Sequence, residues 1–178
     1  MIEWMITAAV AALVVPLMEL WSRLLHGRVW HGVLYRVHES HHRAREGRFE
    51  ANDLLSVTHA PIAAALVIAG CIMHGFAGAA LRGLGIGMTL FGVAYVVVHD
   101  GLVHGRLPVE GLARFRFLRR VRGAHRVHHR TGGPPYGLFA GPSELASRRR
   151  DHDATAPAAR RAAQRTLATG PSAPKASR

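Results

Sequence analysis

Cysteine is nearly missing from these 178 residues: Cys71 stands alone, inside an apolar run. Without a second thiol there is no intramolecular disulfide, no cysteine-ligated zinc site and no cysteine set for an iron–sulfur centre. Acidic residues are scarce too, 11 against 23 Lys and Arg, which leaves a formal net charge of +12. The chain carries no flavin or nicotinamide fingerprint. No basic residue precedes the first apolar run, and Glu3 stands where a basic segment would be, which argues against a cleaved secretory signal.

What is present is hydrophobicity, at 49% of residues, together with that strong positive charge. The two are segregated along the chain, a membrane pattern. Apolar runs span about 1–20, about 54–74 and about 84–103, and each approaches the ~20 residues that cross a hydrocarbon core. The second and third runs read as a helical hairpin with a short Gly-rich link containing Arg82. Gly85, Gly87, Gly92 and Ala94 recur along the third run and suit close helix packing. The expected fold is an all-α integral membrane protein of about three to four transmembrane helices. Residues 1–142 form the membrane-embedded domain, and residues 143–178 read as a basic tail that is disordered and carries no chemistry.

Orientation follows from the basic residues. Six Lys and Arg lie between the first and second runs, one in the link and sixteen after the third run. The positive-inside rule places residues 21–53 and everything after about 104 in the cytoplasm, so an odd number of spans is required. The expected location is the cell inner membrane, as a multi-pass protein.

Thirteen histidines are a large excess, and ten of them fall in four tight clusters. His26 and His31 form an H-x-x-x-x-H pair, followed by His38, His41 and His42 in an H-x-x-H-H triplet. The grammar then repeats, with His99 and His104 as a pair and His125, His128 and His129 as a triplet. On a continuous helix, His31, His38 and His42 would lie within about 40 degrees of one another. Topology brings both sets to one face of the membrane. Imidazole suits zinc, copper, nickel and iron alike, but eight to ten ligands suffice for two ions with positions left open. His59, His74 and His152 belong to no cluster and read as packed or interfacial residues.

A ligating imidazole usually donates its second N–H to a carboxylate or carbonyl. Asp100, Asp53, Glu39 and Glu50 are the candidates. Asp100 and Asp53 rank first because they are membrane-proximal, where a carboxylate is costly; Glu39 and Glu50 have Arg neighbours as alternative partners.

The segments HGRVWHGVLYRVHESHH, FEANDLLSV, GVAYVVVHDGLVHGRLP and RRVRGAHRVHHR resemble bacterial β-carotene 3-hydroxylases within the fatty acid hydroxylase and sterol desaturase superfamily. The resemblance covers about 20–130. It departs after the last triplet, where TGGPPYGLF is shortened and altered, and in the basic tail. It implies O2-dependent hydroxylation at C3 of each β-ionone ring, from β-carotene through β-cryptoxanthin to zeaxanthin, with water as the other product. It also implies two non-haem iron ions, because breaking an unactivated C–H bond calls for a metal that changes oxidation state. The ten clustered histidines would be the metal ligands, with no further catalytic or cofactor-binding residue. The partners implied are a carotenoid entering from the bilayer, membrane lipid and a ferredoxin-type electron donor; nucleic acid is not among them. Alternatives remain at this point: a fatty acid or sterol hydroxylase or desaturase with the same metal site, a β-carotene ketolase, or a histidine-rich membrane metal-binding or transport protein. The last predicts ligands at several depths in the spans.

Overall fold

The computed structural model describes residues 1–44, 47 and 49–153, and among them every regular element is helical. α1 (Ile2–Leu24) runs without a break into a π-helical segment, Leu25–Val33. α2 (Tyr35–His42) follows, then α3 (Asp53–Val57), α4 (His59–Ile72) and α5 (Gly75–Tyr95). A second π segment, Val96–Val103, extends α5, and a 3-10 turn at Glu110–Arg114 leads into α6 (Arg116–Thr131). Among the described residues, 141–153 are also helical, as α7.

Three helical stretches are long and apolar enough to cross a membrane: Ile2–Val33, Asp53–Ile72 and Gly75–Val103. Exposed Leu13, Leu17, Ile62, Ile68, Phe76, Leu90 and Val93 give their outer surfaces the apolar character a bilayer requires. This is a membrane protein with three candidate spans.

α5 is the central helix, packed by α1 on one side and α4 on the other. Its glycines make both contacts possible. A Cβ on Gly83 or Gly87 would meet Thr7 O, Ala11 O and the Val10 and Val14 side chains of α1 at 2.6–2.9 Å. A Cβ on Gly85 would meet Ala63 O and Val67 of α4 at 2.6–2.9 Å. Small residues on two faces of one helix let three backbones pack closely where apolar attraction between helices is weak.

The Gly-rich stretch therefore differs from its expected role. It is helix, and the link between the second and third spans shrinks to residues 73 and 74. Arg82 is not in the link; it is buried in α5, where its guanidinium donates to Gly70 O at 2.6 Å, pairs with Glu3 at 3.4 Å and lies 5.0 Å over the Trp4 ring. Glycine reads as loop in water but as packing surface in a membrane helix, which is why the link was placed too late. Glu3 also accepts the Gly75 N–H at 2.8 Å, tying the start of α1 to the hairpin tip.

The tail also begins differently. Residues 143–153 lie in α7, anchored through Glu144, which pairs with Arg23 at 3.3 Å and accepts the Tyr136 N–H at 3.2 Å. Residues 154–178, with Arg160, Arg161 and Arg165, lie outside the described residues.

Candidate metal centre

All four histidine clusters meet at the end of the bundle opposite the 73–74 link. The two H-x-x-x-x-H pairs share a local solution. In an α-helix, residues five apart point about 140 degrees away from each other, at ~100 degrees per residue. Here the chain widens to i→i+5 bonding: Leu34 N–H donates to Val29 O at 2.9 Å and His104 N–H to His99 O at 3.0 Å. The wider turn brings His26 and His31 to a ring separation of 5.1 Å, and His99 and His104 to 4.7 Å. Gly32, with φ −106 and ψ −112, then breaks the helix before α2. His31 and His38 thus lie on separate elements, not on the one continuous helix that the spacing suggested. Their rings still approach to 4.8 Å. The triplets need only α-helix, because i, i+3 and i+4 share a face of α2 and of α6.

Nine of the ten side chains resolve into two metal-capable groups. His26, His31, His38, His42 and His128 form one; His41, His99, His104 and His125 form the other, with the donor atoms of each group within 4.8 Å of one another. His129 belongs to neither by that measure. It lies between them, its Nε2 3.0 Å from His125 Nε2 and its ring stacked on His42 at 4.5 Å.

The outward nitrogens are held by acceptors. Nδ1–H of His26 donates to Tyr136 O at 2.8 Å, that of His38 to Asn52 Oδ1 at 2.7 Å, and that of His128 to Gly133 O at 2.7 Å. In the second group, His41 Nδ1–H donates to Glu50 at 3.0 Å and His99 Nδ1–H to Asp100 at 2.7 Å. This fixes the tautomer and turns the Nε2 lone pairs inward.

The inward nitrogens then crowd. Nε2 of His26 and His38 are 3.1 Å apart, and Nε2 of His41 and His99 are 3.2 Å apart. In both pairs each Nδ1 already carries the proton, so two lone pairs face each other unless a cation lies between them. Adding protons instead is opposed by burial, the main cause that lowers the His38 pKa to about 4 and those of His128 and His129 to about 3, and that depresses His41 and His125 as well. Imidazoles bound to one ion at ~2.1 Å sit ~3 Å apart at adjacent positions. Such pairs lie in both groups, so the residues fit two metal ions.

Of the four acidic candidates, the structure brings Glu50 and Asp100 to a histidine. Asp53 instead pairs with Arg106 at 2.6 Å and accepts the Glu50 N–H at 3.0 Å, while Arg106 reaches Glu50 at 3.1 Å. Asp53 thus braces the residue that braces His41. Glu39 is away from the site, in an i,i+4 pair with Arg43 at 2.7 Å. Asn52, Gly133 and Tyr136 were missed by the sequence reading. Asn52 lies within FEAND, and the other two lie in the TGGPPYGLF stretch that departs from the family pattern. Backbone carbonyls leave no mark in side-chain identity.

The fatty acid hydroxylase family model matches residues 11–142, a stretch containing all ten histidines. The chain belongs to the fatty acid hydroxylase family. Among its relatives, "Beta-carotene 3-hydroxylase 2, chloroplastic" of Arabidopsis thaliana is 47% identical over 130 residues, 72% of this chain and 43% of that protein. "Beta-carotene hydroxylase 2, chloroplastic" of Capsicum annuum is 48% identical over 72% of this chain and 42% of its own length. "Beta-carotene hydroxylase" of Pseudescherichia vulneris is 41% identical over 72% of this chain and 71% of its own. The chain thus matches less than half the length of these plant relatives. No solved structure matches this fatty acid hydroxylase family member.

Proposed function

We propose that this chain is a β-carotene 3-hydroxylase, a non-haem di-iron monooxygenase that adds hydroxyl at C3 of each β-ionone ring and converts β-carotene through β-cryptoxanthin to zeaxanthin. The observation that carries the reading is the pair of inward-facing histidine groups at one end of three spans, in a chain 41–48% identical to proteins named β-carotene hydroxylases.

When bound, two ferrous ions supply the chemistry that splits O2, using two electrons from a ferredoxin-type donor to place one oxygen on carbon and release the other as water. The chain's own part is placement. The ten histidines would hold the ions, and Glu50, Asp100, Asn52 and the carbonyls of Gly133 and Tyr136 keep five of those rings from turning. Between α1, α3, α4 and α5 lies an apolar cavity whose inner end carries Trp30 and Tyr95. The Trp30 ring packs on His26 and His38, and the Tyr95 ring stacks on His99, so these two rings stand between the cavity and both groups. A ring end entering from the bilayer would reach the histidines with water excluded, its polyene remaining in lipid.

The chain is oriented with the histidine end in the cytoplasm, as a multi-pass protein of the cell inner membrane. Support comes from the twenty-two Lys and Arg of residues 21–53 and beyond 104, against none in the 73–74 link. Gathering ten histidines at one end also disfavours a metal transporter, which needs ligands along its spans.

Expression in cells that accumulate β-carotene, followed by chromatography of the extracted pigments, tests the reading. Zeaxanthin and β-cryptoxanthin are expected. Unchanged β-carotene beside a well-expressed, iron-loaded protein would reject the carotenoid substrate and turn attention to fatty acyl or sterol substrates.

A further inference from the structure

The cavity beside the histidines encloses about 80 Å³, is partly open to the outside, and its lining is almost wholly apolar. α5 provides the floor. Met88, Gly92, Tyr95 and Val96 stand at spacings of three and four and so share one helix face, with Gly92 in the middle of the stripe.

Gly92 differs from the other glycines of α5's transmembrane interior. Gly83, Gly85 and Gly87 are filled on their open side by a neighbouring helix at 2.6–2.9 Å, and a side chain there would collide with backbone. A Cβ built on Gly92 meets nothing within 4 Å. Packing does not explain why this position has no side chain. A glycine in a helix interior costs ~1 kcal/mol relative to alanine, so an unpacked one calls for another reason.

We propose that Gly92 is a specificity-determining residue that sets the width of the cavity, so that a bulky trimethyl-substituted cyclohexene ring enters as the terminal group and reaches the floor beside Tyr95. This inference rests on the carotenoid reading above. The opposite wall is fixed: Trp21 Nε1–H of α1 donates to His59 Nε2 of α4 at 2.9 Å, joining the two helices that flank the cavity. With that distance pinned, a side chain at 92 takes its space from the ring alone. A slender unbranched chain would tolerate the loss better than a branched ring.

The test compares Gly92→Leu and Gly92→Phe with Val93→Phe, which puts the same bulk on the adjacent, lipid-facing position of α5, where Val93 is 58% exposed. Each full-length protein is expressed in β-carotene-accumulating cells and purified in detergent. Hydroxylated carotenoid, iron per chain and co-purified β-carotene are then measured. The Gly92 variants are expected to keep wild-type iron, lose hydroxylation on the order of 100-fold through misplacement of the ring, and carry less pigment, while Val93→Phe matches wild type. Wild-type turnover and pigment in Gly92→Leu and Gly92→Phe would overturn the proposal. So would loss of iron in both variants, since that would make position 92 structural. If the wild-type chain does not hydroxylate β-carotene, the functional reading fails instead, and co-purified pigment alone still reports whether Gly92 shapes the cavity.

Discussion

The two histidine groups draw on the same kinds of element but are braced differently. In the group of His26, His31, His38, His42 and His128, the outer nitrogens donate to neutral acceptors: two backbone carbonyls and the Asn52 amide. In the group of His41, His99, His104 and His125, the two braced rings donate to carboxylates, Glu50 and Asp100. A carboxylate partner raises the basicity of its imidazole and adds negative charge near the ion. The two groups are therefore inequivalent, and the carboxylate-braced one is expected to bind a metal ion more tightly. A chelator should remove the ions in two steps, with the first loss from the carbonyl-braced group.

The largest effects come from the ligands themselves. His38→Ala and His99→Ala remove an inward donor from different groups, and each is expected to abolish turnover while the protein still accumulates in the membrane fraction. Full activity in either variant would strike that residue from the ligand set. Next come the braces: Asp100→Asn and Glu50→Gln should weaken metal binding by about 10- to 100-fold, the usual cost of losing an outer partner. Either change should merge the two chelation steps, because the tighter group is weakened towards the other. Asn52→Ala should separate them further. Unchanged chelation in all three would remove the inequivalence.

A smaller effect is expected from pH. Burial holds His38 neutral down to about pH 4 and His128 and His129 down to about pH 3, whereas in the unfolded chain they protonate near 6.5. Below 6.5 the unfolded state therefore binds more protons, so stability is fully present above that value and falls as pH drops towards 4 and then 3. Ion binding needs the same neutral rings and follows the same direction. Thermal unfolding of the metal-free protein at pH 7.5, 6.0 and 5.0 should show a decreasing midpoint; a flat series would mean the histidines are not buried as described. The smallest effect belongs to Glu39→Gln, whose exposed pair with Arg43 is worth about 0–1 kcal/mol and which should leave both chelation steps in place.

Much of this was legible in the sequence, because the properties involved are carried by side-chain identity. Long apolar runs announced the candidate spans, and repeated histidine spacings announced the histidine groups. The five-residue interval in His26/His31 and His99/His104 is itself a mark of a π turn, since an α-helix would send the two rings apart. What the sequence concealed depends on the backbone. Gly133 and Tyr136 act through their carbonyls, so the TGGPPYGLF stretch looked like a departure from the pattern while supplying two of the five braces. Gly83 looked like the edge of a link because its role appears only when α1 lies against it, whereas Gly87 was legible as a packing residue. Asp53 was ranked above Glu50 by its distance from the membrane, but the path of the chain through 50–53 delivers Glu50 to His41 and leaves Asp53 on Arg106.

The most direct test of two inequivalent ions in one histidine shell is the iron content of the purified chain, measured per mole of protein and repeated for His38→Ala and His99→Ala. The account predicts two irons per chain in the wild type and a loss from a different site in each variant. One iron per chain in a fully active preparation would contradict it.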